Sequence, residues 1–294
     1  MKTDSQQHTL STKVTPAQTS RRLNLGCGRC FHSEWTNVDL EPVDFDVIAC
    51  DITNGLPFQD QQFDAVYHSH VLEHLSPEAG KYLLSECFRV LRPGGILRIV
   101  VPDLEQIAKL YLQAHEDAWS DEDASKANYD WMKLELLDQM VREQSGGQMG
   151  QYMTREQLEN ESFVRSRLGD EFVLCQNHEP QPSTVKTFSA RVGDSVSKFK
   201  KNMTRKLVRW IMGQEAQQAF DEGLFRRQGE IHRWMYDRYS LKQLCLDVGL
   251  VDFGVCDAFT SSIEDFTRFE LDTVSQKTRK PDSLFAECRR PPVA

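Results

Sequence analysis

The sequence predicts an α/β protein whose mostly parallel sheet carries a large helical insertion before its last strands, and three observations lead there. Between residues 22 and 112 short apolar runs alternate with turn residues and one clear helical segment. From about 113 to 230 long amphipathic segments dominate, and sheet-like runs return after 231. Strands alternating with helices imply parallel pairing, because a parallel crossover needs room for a connecting helix. The expected domains are a core of residues 21–112 and 231–294, interrupted by a helical insertion at 113–230. Residues 1–20, rich in Ser, Thr, Gln and Lys with no apolar period, read as a disordered tail.

The strands are written in order as LNLG, TNVDL, VIACDI, FDAVYHS and GILRIVVPD. The helix between the last two runs from Ser76 to Leu91. Ser76 can cap it, Pro77 suits its first turn, and Leu83, Leu84, Cys87 and Leu91 recur on one face. Arg89 and Arg92 meet the negative end of its dipole, and Pro93-Gly94-Gly95 stops it. After Asp103 come LEQIAKLYLQAHEDAW, DWMKLELLDQMVREQ and SKFKKNMTRKLVRWIMG, all patterned as helices. SLKQLCLDVG reads as a helix ending at Gly249, with VDFGVCDAF and SLFAECRR as the closing strands.

A chain of 294 residues can bury a sizeable core. Its longest apolar run, around Ile99 to Val101, is far too short to span a bilayer. The net charge of −9 argues against broad capture of nucleic acid, whose non-specific affinity comes from Lys and Arg on phosphate. Eight scattered cysteines, with no apolar leader at the start, point to reduced thiols and a cytoplasmic location. Cys27 and Cys30 form the one C-x-x-C pair, which lacks the second pair a structural zinc site needs.

LNLGCG leads an apolar strand into Gly26 and Gly28, where the backbone can lie against a ligand beyond the carboxyl end of the sheet. A dinucleotide fingerprint would place a third glycine at 31, which is Phe31, so a pyrophosphate reading is disfavoured. Asp39 ends TNVDL, where a carboxylate can accept both hydroxyls of a ribose, and Asp51 ends VIACD one strand later.

LNLGCG, VDLEP, CDITNGLPFQDQQFDAVYHSHVLEHL and ECFRVLRPGGILRIVVPD, in that order, resemble the class I S-adenosylmethionine-dependent methyltransferases, within them the bacterial group with a type 11 methyltransferase domain. The likeness covers residues 22–103, and more weakly 232–287. It implies a doubly wound, Rossmann-like sheet and S-adenosylmethionine as cofactor. It further implies that Gly26, Cys27 and Gly28 line the methionine part and that Asp39 holds the ribose. Asp51 and Ile52 would face the adenine, and His68 would lie near the sulfonium. The acceptor would be a small or glycan-like molecule methylated on O or N, with the insertion as its lid. A cofactor-binding module without turnover, serving a partner protein, is the alternative. Only about seven residues separate Gly28 from Thr36, so the usual first helix is shortened or missing, and Glu41 is a substitute for the ribose role.

HSHVLEH contains H-x-x-E-H, the pattern of inverted zinc peptidases. Ser76-Pro77 follows too soon for both imidazoles to project from one continuous helix, so at most a short helical turn fits and no metal is expected. His70 and His74 are instead candidates for a general base on the acceptor side, with Asp103 and His232 beside them. In the insertion, Lys198, Lys200, Lys201, Arg205, Lys206 and Arg209 concentrate positive charge around Phe199, Leu207 and Trp210. A solvated helix face is the commoner fate of such a segment, and contact of residues 197–210 with an anionic membrane surface is the alternative.

Overall fold

A computed structural model describes residues 21–120, 123–176, 188–227 and 229–293, so the expected tail lies outside the described residues. The first half of the sheet is written by β1 (Arg22–Leu25), β2 (Thr36–Asp39), β3 (Val47–Ala49), β4 (Phe63–Ser69) and β5 (Leu91–Pro102). Helix α1 (Pro77–Val90) joins β4 to β5, and the Ser76 hydroxyl accepts from the Ala79 N–H as its cap. α2 (Leu104–Trp119), α3 (Asp123–Val141), α4 (Gly147–Met153), α5 (Glu161–Leu168), α6 (Asp170–Gln176) and α7 (Phe188–Arg226) follow. The chain returns through α8 (Arg238–Asp247), β6 (Val251–Cys256), the small hairpin β7 (Thr273–Val274) and β8 (Lys277–Thr278), and β9 (Ser283–Arg289).

Seven strands lie in the order β3-β2-β1-β4-β5-β9-β6. β1 to β5 are parallel, so the carboxyl ends of all five reach one rim, while β9 runs antiparallel between β5 and β6. Pro93-Gly94-Gly95 makes an irregularity rather than a clean stop. The β4–β5 register jumps from Phe63↔Leu91 to Ala65↔Ile96, with Gly94 at φ +78.

One face of the sheet buries Leu23, Leu25, Val66 and Leu97 against Leu83, Leu84 and Cys87 of α1 and Leu241 and Cys245 of α8. Each fully buried leucine there contributes about 1.5–3 kcal/mol. The other face packs Tyr67, Val100 and Phe285 against Trp35, Ile263, Phe266 and Phe269. This second layer has a specific cause. No helix connects β1 to β2, as the short spacing predicted, and residues 258–271 cover the sheet where such a helix would lie. The Trp35 ring meets Phe269 edge-on at 5.5 Å and Phe266 at 6.1 Å.

Helical structure begins at Leu104, directly at the end of β5 and ahead of residue 113. α2 to α6 share their own apolar centre around Ile107, Trp131, Met132, Met153, Leu168 and Phe172. α7 is two helices broken at Gly213, whose φ of +89 and ψ of −177 suit glycine alone. Arg205 pairs with Asp221 across that break, and Leu207 and Trp210 are exposed. The side chains of Lys198, Phe199, Lys200 and Lys201 lie outside the described residues.

Candidate functional site

At the rim the chain leaves β1 through Gly26 and Gly28, with φ of +62 and +51. An added Cβ at Gly26 would stand 2.4 Å from Val71 Cγ2, so a side chain has no room there, while the Gly26 backbone still lines a cavity of about 590 Å³. The bend is pinned on both sides. The Gly28 N–H donates to Asp39 Oδ2 at 2.8 Å, the Cys27 N–H donates to the Val38 carbonyl at 3.1 Å, and the Asn24 amide donates to the Cys30 carbonyl at 3.0 Å. Asp39 therefore shapes the glycine bend. Its other oxygen takes the Glu41 N–H at 2.9 Å, and Glu41 itself is exposed.

Asp51 stands on the same rim, since the Cys50 N–H donates to the Asp39 carbonyl at 2.9 Å. Its carboxylate caps the short turn Ile52–Asn54, taking the Thr53 N–H at 3.0 Å, the Thr53 hydroxyl at 2.6 Å and the Asn54 amide at 2.9 Å. Ile52 is half-buried against the main core. Gly26 and Cys27 line the cavity, whereas Gly28, Asp39, Asp51 and Ile52 lie along the rim beyond it.

His68 is placed differently from its expected position. Tyr67 and Ser69 face the cavity, so the pleat turns His68 to the opposite side, where it is wholly buried and neither ring nitrogen has a partner among the described residues. Burial pulls its pKa down to about 4, against the opposing pull of Glu73, and the imidazole is neutral. Asp103 is likewise a cap. Its carboxylate accepts the Gln106 N–H at 3.1 Å at the start of α2, and it does not line the cavity.

His70 does reach the cavity. It sits at φ +53, Nδ1 is 3.0 Å from Glu73 Oε1, and Nε2 is 2.8 Å from the Ser283 hydroxyl. Glu73 is fully buried. Burial pushes its carboxyl upward, but the imidazoles of His70, His74 and His232 outweigh that and hold it well below the usual carboxylate range. His74 and His232 are on a smaller neighbouring cavity, shared with His70. The segment after β4 is a single short turn, Leu72–His74, as the following Ser-Pro required.

The far wall of the cavity comes from distant residues that no sequence pattern marked. Asp272 is buried, accepts the Tyr67 hydroxyl at 2.6 Å and pairs with the buried Arg98 at 2.7 Å, which also meets Glu287 at 2.9 Å. Burial, then the Asp272 charge, push the Tyr67 phenol well up, so it stays protonated. Arg279 pairs with Asp170 of α6 at 3.0 Å, and Lys280 with Glu171 at 3.5 Å. Arg29 and Cys30 complete the wall nearest the glycine bend. The thiols are not poised for chemistry. Burial and Asp39 push Cys27 up to about 12, and burial raises Cys30.

Residues 23–99 match the family model described as a methyltransferase domain. A segment of 57 residues is 44% identical to a probable S-adenosylmethionine-dependent methyltransferase of Mycolicibacterium smegmatis, covering 18% of this chain and 21% of that one. Another of 107 residues is 34% identical to the probable tRNA methyltransferase 9B of Mus musculus, covering 36% of this chain and 20% of that one. The matched part thus spans about a fifth of the length of each relative. Among solved structures, a SAM-dependent methyltransferase from Archaeoglobus fulgidus aligns over 92% of this chain and 86% of its own at 12% identity, with a TM-score of 0.35. No helix among the described residues is long and apolar enough to cross a membrane. The matched motifs sit on a parallel sheet with a glycine bend at its carboxyl rim, and this part of the chain is a class I, S-adenosylmethionine-dependent methyltransferase domain.

Proposed function

We propose that this protein transfers a methyl group from S-adenosylmethionine to an oxygen or nitrogen of a polar small-molecule or glycan-like acceptor, with His70 as the base. The observation that carries this reading is one cavity, about 590 Å³, bounded at one end by the glycine bend and lined also by His70. That volume suits a bound small molecule. The residues fit the cofactor, because Gly26 and Cys27 of the bend line the cavity and Arg29 lines it beside them, with no carboxylate partner among the described residues. Arg29 would hold the methionine carboxylate, the task left open by the missing crossover helix. Asp39 would act by holding the bend and by offering its remaining lone pairs to the ribose.

The cofactor, when bound, supplies the methyl group and leaves as a neutral thioether. The chain aligns the two reactants and takes the proton that an acceptor hydroxyl or ammonium must lose. His70 receives that proton at Nε2, where the Ser283 hydroxyl now rests, while Glu73 orients the ring through Nδ1 and stabilises the imidazolium. The acid and base pairs contributed by Asp170, Glu171, Arg279 and Lys280 favour a polar acceptor over an apolar one.

The test is turnover of labelled S-adenosylmethionine against a panel of hydroxyl and amine metabolites and glycans. His70→Gln is expected to lower kcat about 10²–10⁴-fold while S-adenosylhomocysteine affinity stays within a few-fold. An unchanged kcat would remove His70 from the reaction. A wild-type chain that binds S-adenosylhomocysteine yet labels no acceptor would be a cofactor-binding module instead.

A further inference from the structure

Glu73, His74 and His232 come together although 158 positions of sequence separate the two histidines. One ligand-type atom from each lies within 4.8 Å of the others. We propose that these three side chains form a binding site for a divalent transition ion of the Zn²⁺ class, with a fourth position open to the neighbouring cavity.

The surroundings are built for it. Glu73 is fully buried, its Oε1 stands 3.0 Å from His70 Nδ1, and its Oε2 has no hydrogen-bond partner among the described residues. A buried carboxylate in that condition lacks the partners such a group normally has. Its two oxygens allow it to face His70 and an ion together. His232 is 4% exposed and its Nδ1 also has no partner among the described residues. His74 Nδ1 is 3.2 Å from the Ile231 carbonyl. A proton held there leaves the lone pair on Nε2, which is how ligating histidines are usually fixed from outside the metal sphere.

The backbone holds the two segments in place. The Arg233 and Trp234 N–H groups donate to the Glu73 carbonyl at 2.7 and 3.2 Å, and the His232 N–H donates to the Gln139 carbonyl at 2.9 Å. The two imidazoles meet edge to face at 4.9 Å. Tetrahedral Zn²⁺ with bonds of about 2.0–2.1 Å separates its ligand atoms by about 3.4 Å, so the set would have to close by at most about 1.4 Å on binding. Nearby cations are already matched, Arg142 by Asp138 and Glu230, and Lys280 by Glu171. Three nitrogen and oxygen ligands beside a cavity of about 350 Å³ leave room for water or an acceptor oxygen on the ion. The ion would tie the return segment at His232 to the turn after β4.

This differs from the H-x-x-E-H peptidase pattern. His70, which that pattern needs as a ligand, faces Ser283 and the main cavity, and its place is taken by His232.

The proposal is independent of methyl transfer, and its readout is metal content. The full chain is purified without chelator, assayed for bound metal, stripped, and titrated with Zn²⁺ and with Co²⁺, whose visible spectrum reports tetrahedral coordination. One ion per chain and a tetrahedral Co²⁺ band are expected, both lost in His74→Ala and His232→Ala and retained in Cys30→Ser. Far-UV circular dichroism confirms that each variant is folded, and Glu73→Gln, expected to weaken Zn²⁺ at least tenfold, serves if a histidine variant is not. A stripped wild type that takes up no stoichiometric ion would overturn the proposal. So would uptake unchanged by the histidine and glutamate substitutions, which would place the ion on thiols.

Discussion

The two ends of the main cavity are made in opposite ways. At the glycine bend the contacts are local: Gly28 with Asp39 is 11 positions apart, Asn24 with Cys30 is 6, and Asp51 with Thr53 is 2. At the opposite end they are remote: Asp170 with Arg279 is 109 apart, Arg98 with Asp272 is 174, and Tyr67 with Asp272 is 205. The first end is a property of individual strand-to-loop turns, and the second exists only once the whole chain has closed. Damage to the first should therefore reach ligand affinity as well as stability, and damage to the second should fall mainly on stability.

The largest effect is expected at Arg98. Arg98→Ala strips the buried Asp272 and Glu287 carboxylates of their shared cation and should lower unfolding free energy by about 3–5 kcal/mol, read by urea denaturation. A loss under about 1 kcal/mol, the range of an exposed pair, would mean the remote wall is not held by this cluster.

Next comes acid stability through His68. Its folded pKa of about 4 lies below the 6.5 of the free side chain, so between those values the unfolded chain binds more protons and stability falls as pH drops. The window is worth about 3 kcal/mol. His68→Leu should remove that portion of the acid slope and leave neutral-pH stability equal or higher, since it also deletes two ring nitrogens that have no partner among the described residues. An unaltered slope between pH 6.5 and 4 would show that His68 is not buried neutral.

Gly26→Ala sharpens the comparison from the local side. The Cβ would meet Val71 Cγ2 at 2.4 Å in a φ>0 conformation, which should destabilise by about 1–3 kcal/mol while weakening S-adenosylhomocysteine at least tenfold. Val71→Ala added to it should recover part of the stability. The smallest effect belongs to Asp39→Asn, which keeps one acceptor for the Gly28 N–H. It should cost about 1 kcal/mol in stability and a few-fold in affinity, against a larger affinity loss for Asp39→Ala.

What could be read in the sequence follows the same division. LNLGCG and TNVDL located the bend and its acid because glycine conformation and strand ends leave local marks. The absent first crossover helix was legible from spacing alone. That residues 258–271 fill its place was not, because their partners Trp35 and Tyr67 lie more than 190 positions away. His68 was misplaced because β4 is buried on both faces, so no apolar alternation shows which residues point to the rim. Asp103 had a better signal than its position at a strand end. Gln106 follows it three residues later ahead of an amphipathic run, the mark of a helix start. Arg29, Asp272 and Arg279 carried no such mark, and His232 joins Glu73 only through tertiary closure.

The most direct measurement is calorimetric titration of the full chain with S-adenosylhomocysteine. The expected result is one site per chain in the wild type, with at least tenfold weaker binding for Gly26→Ala and Asp39→Ala in folded protein. No heat from a folded wild-type chain at millimolar ligand, or equal affinity in all three proteins, would contradict it.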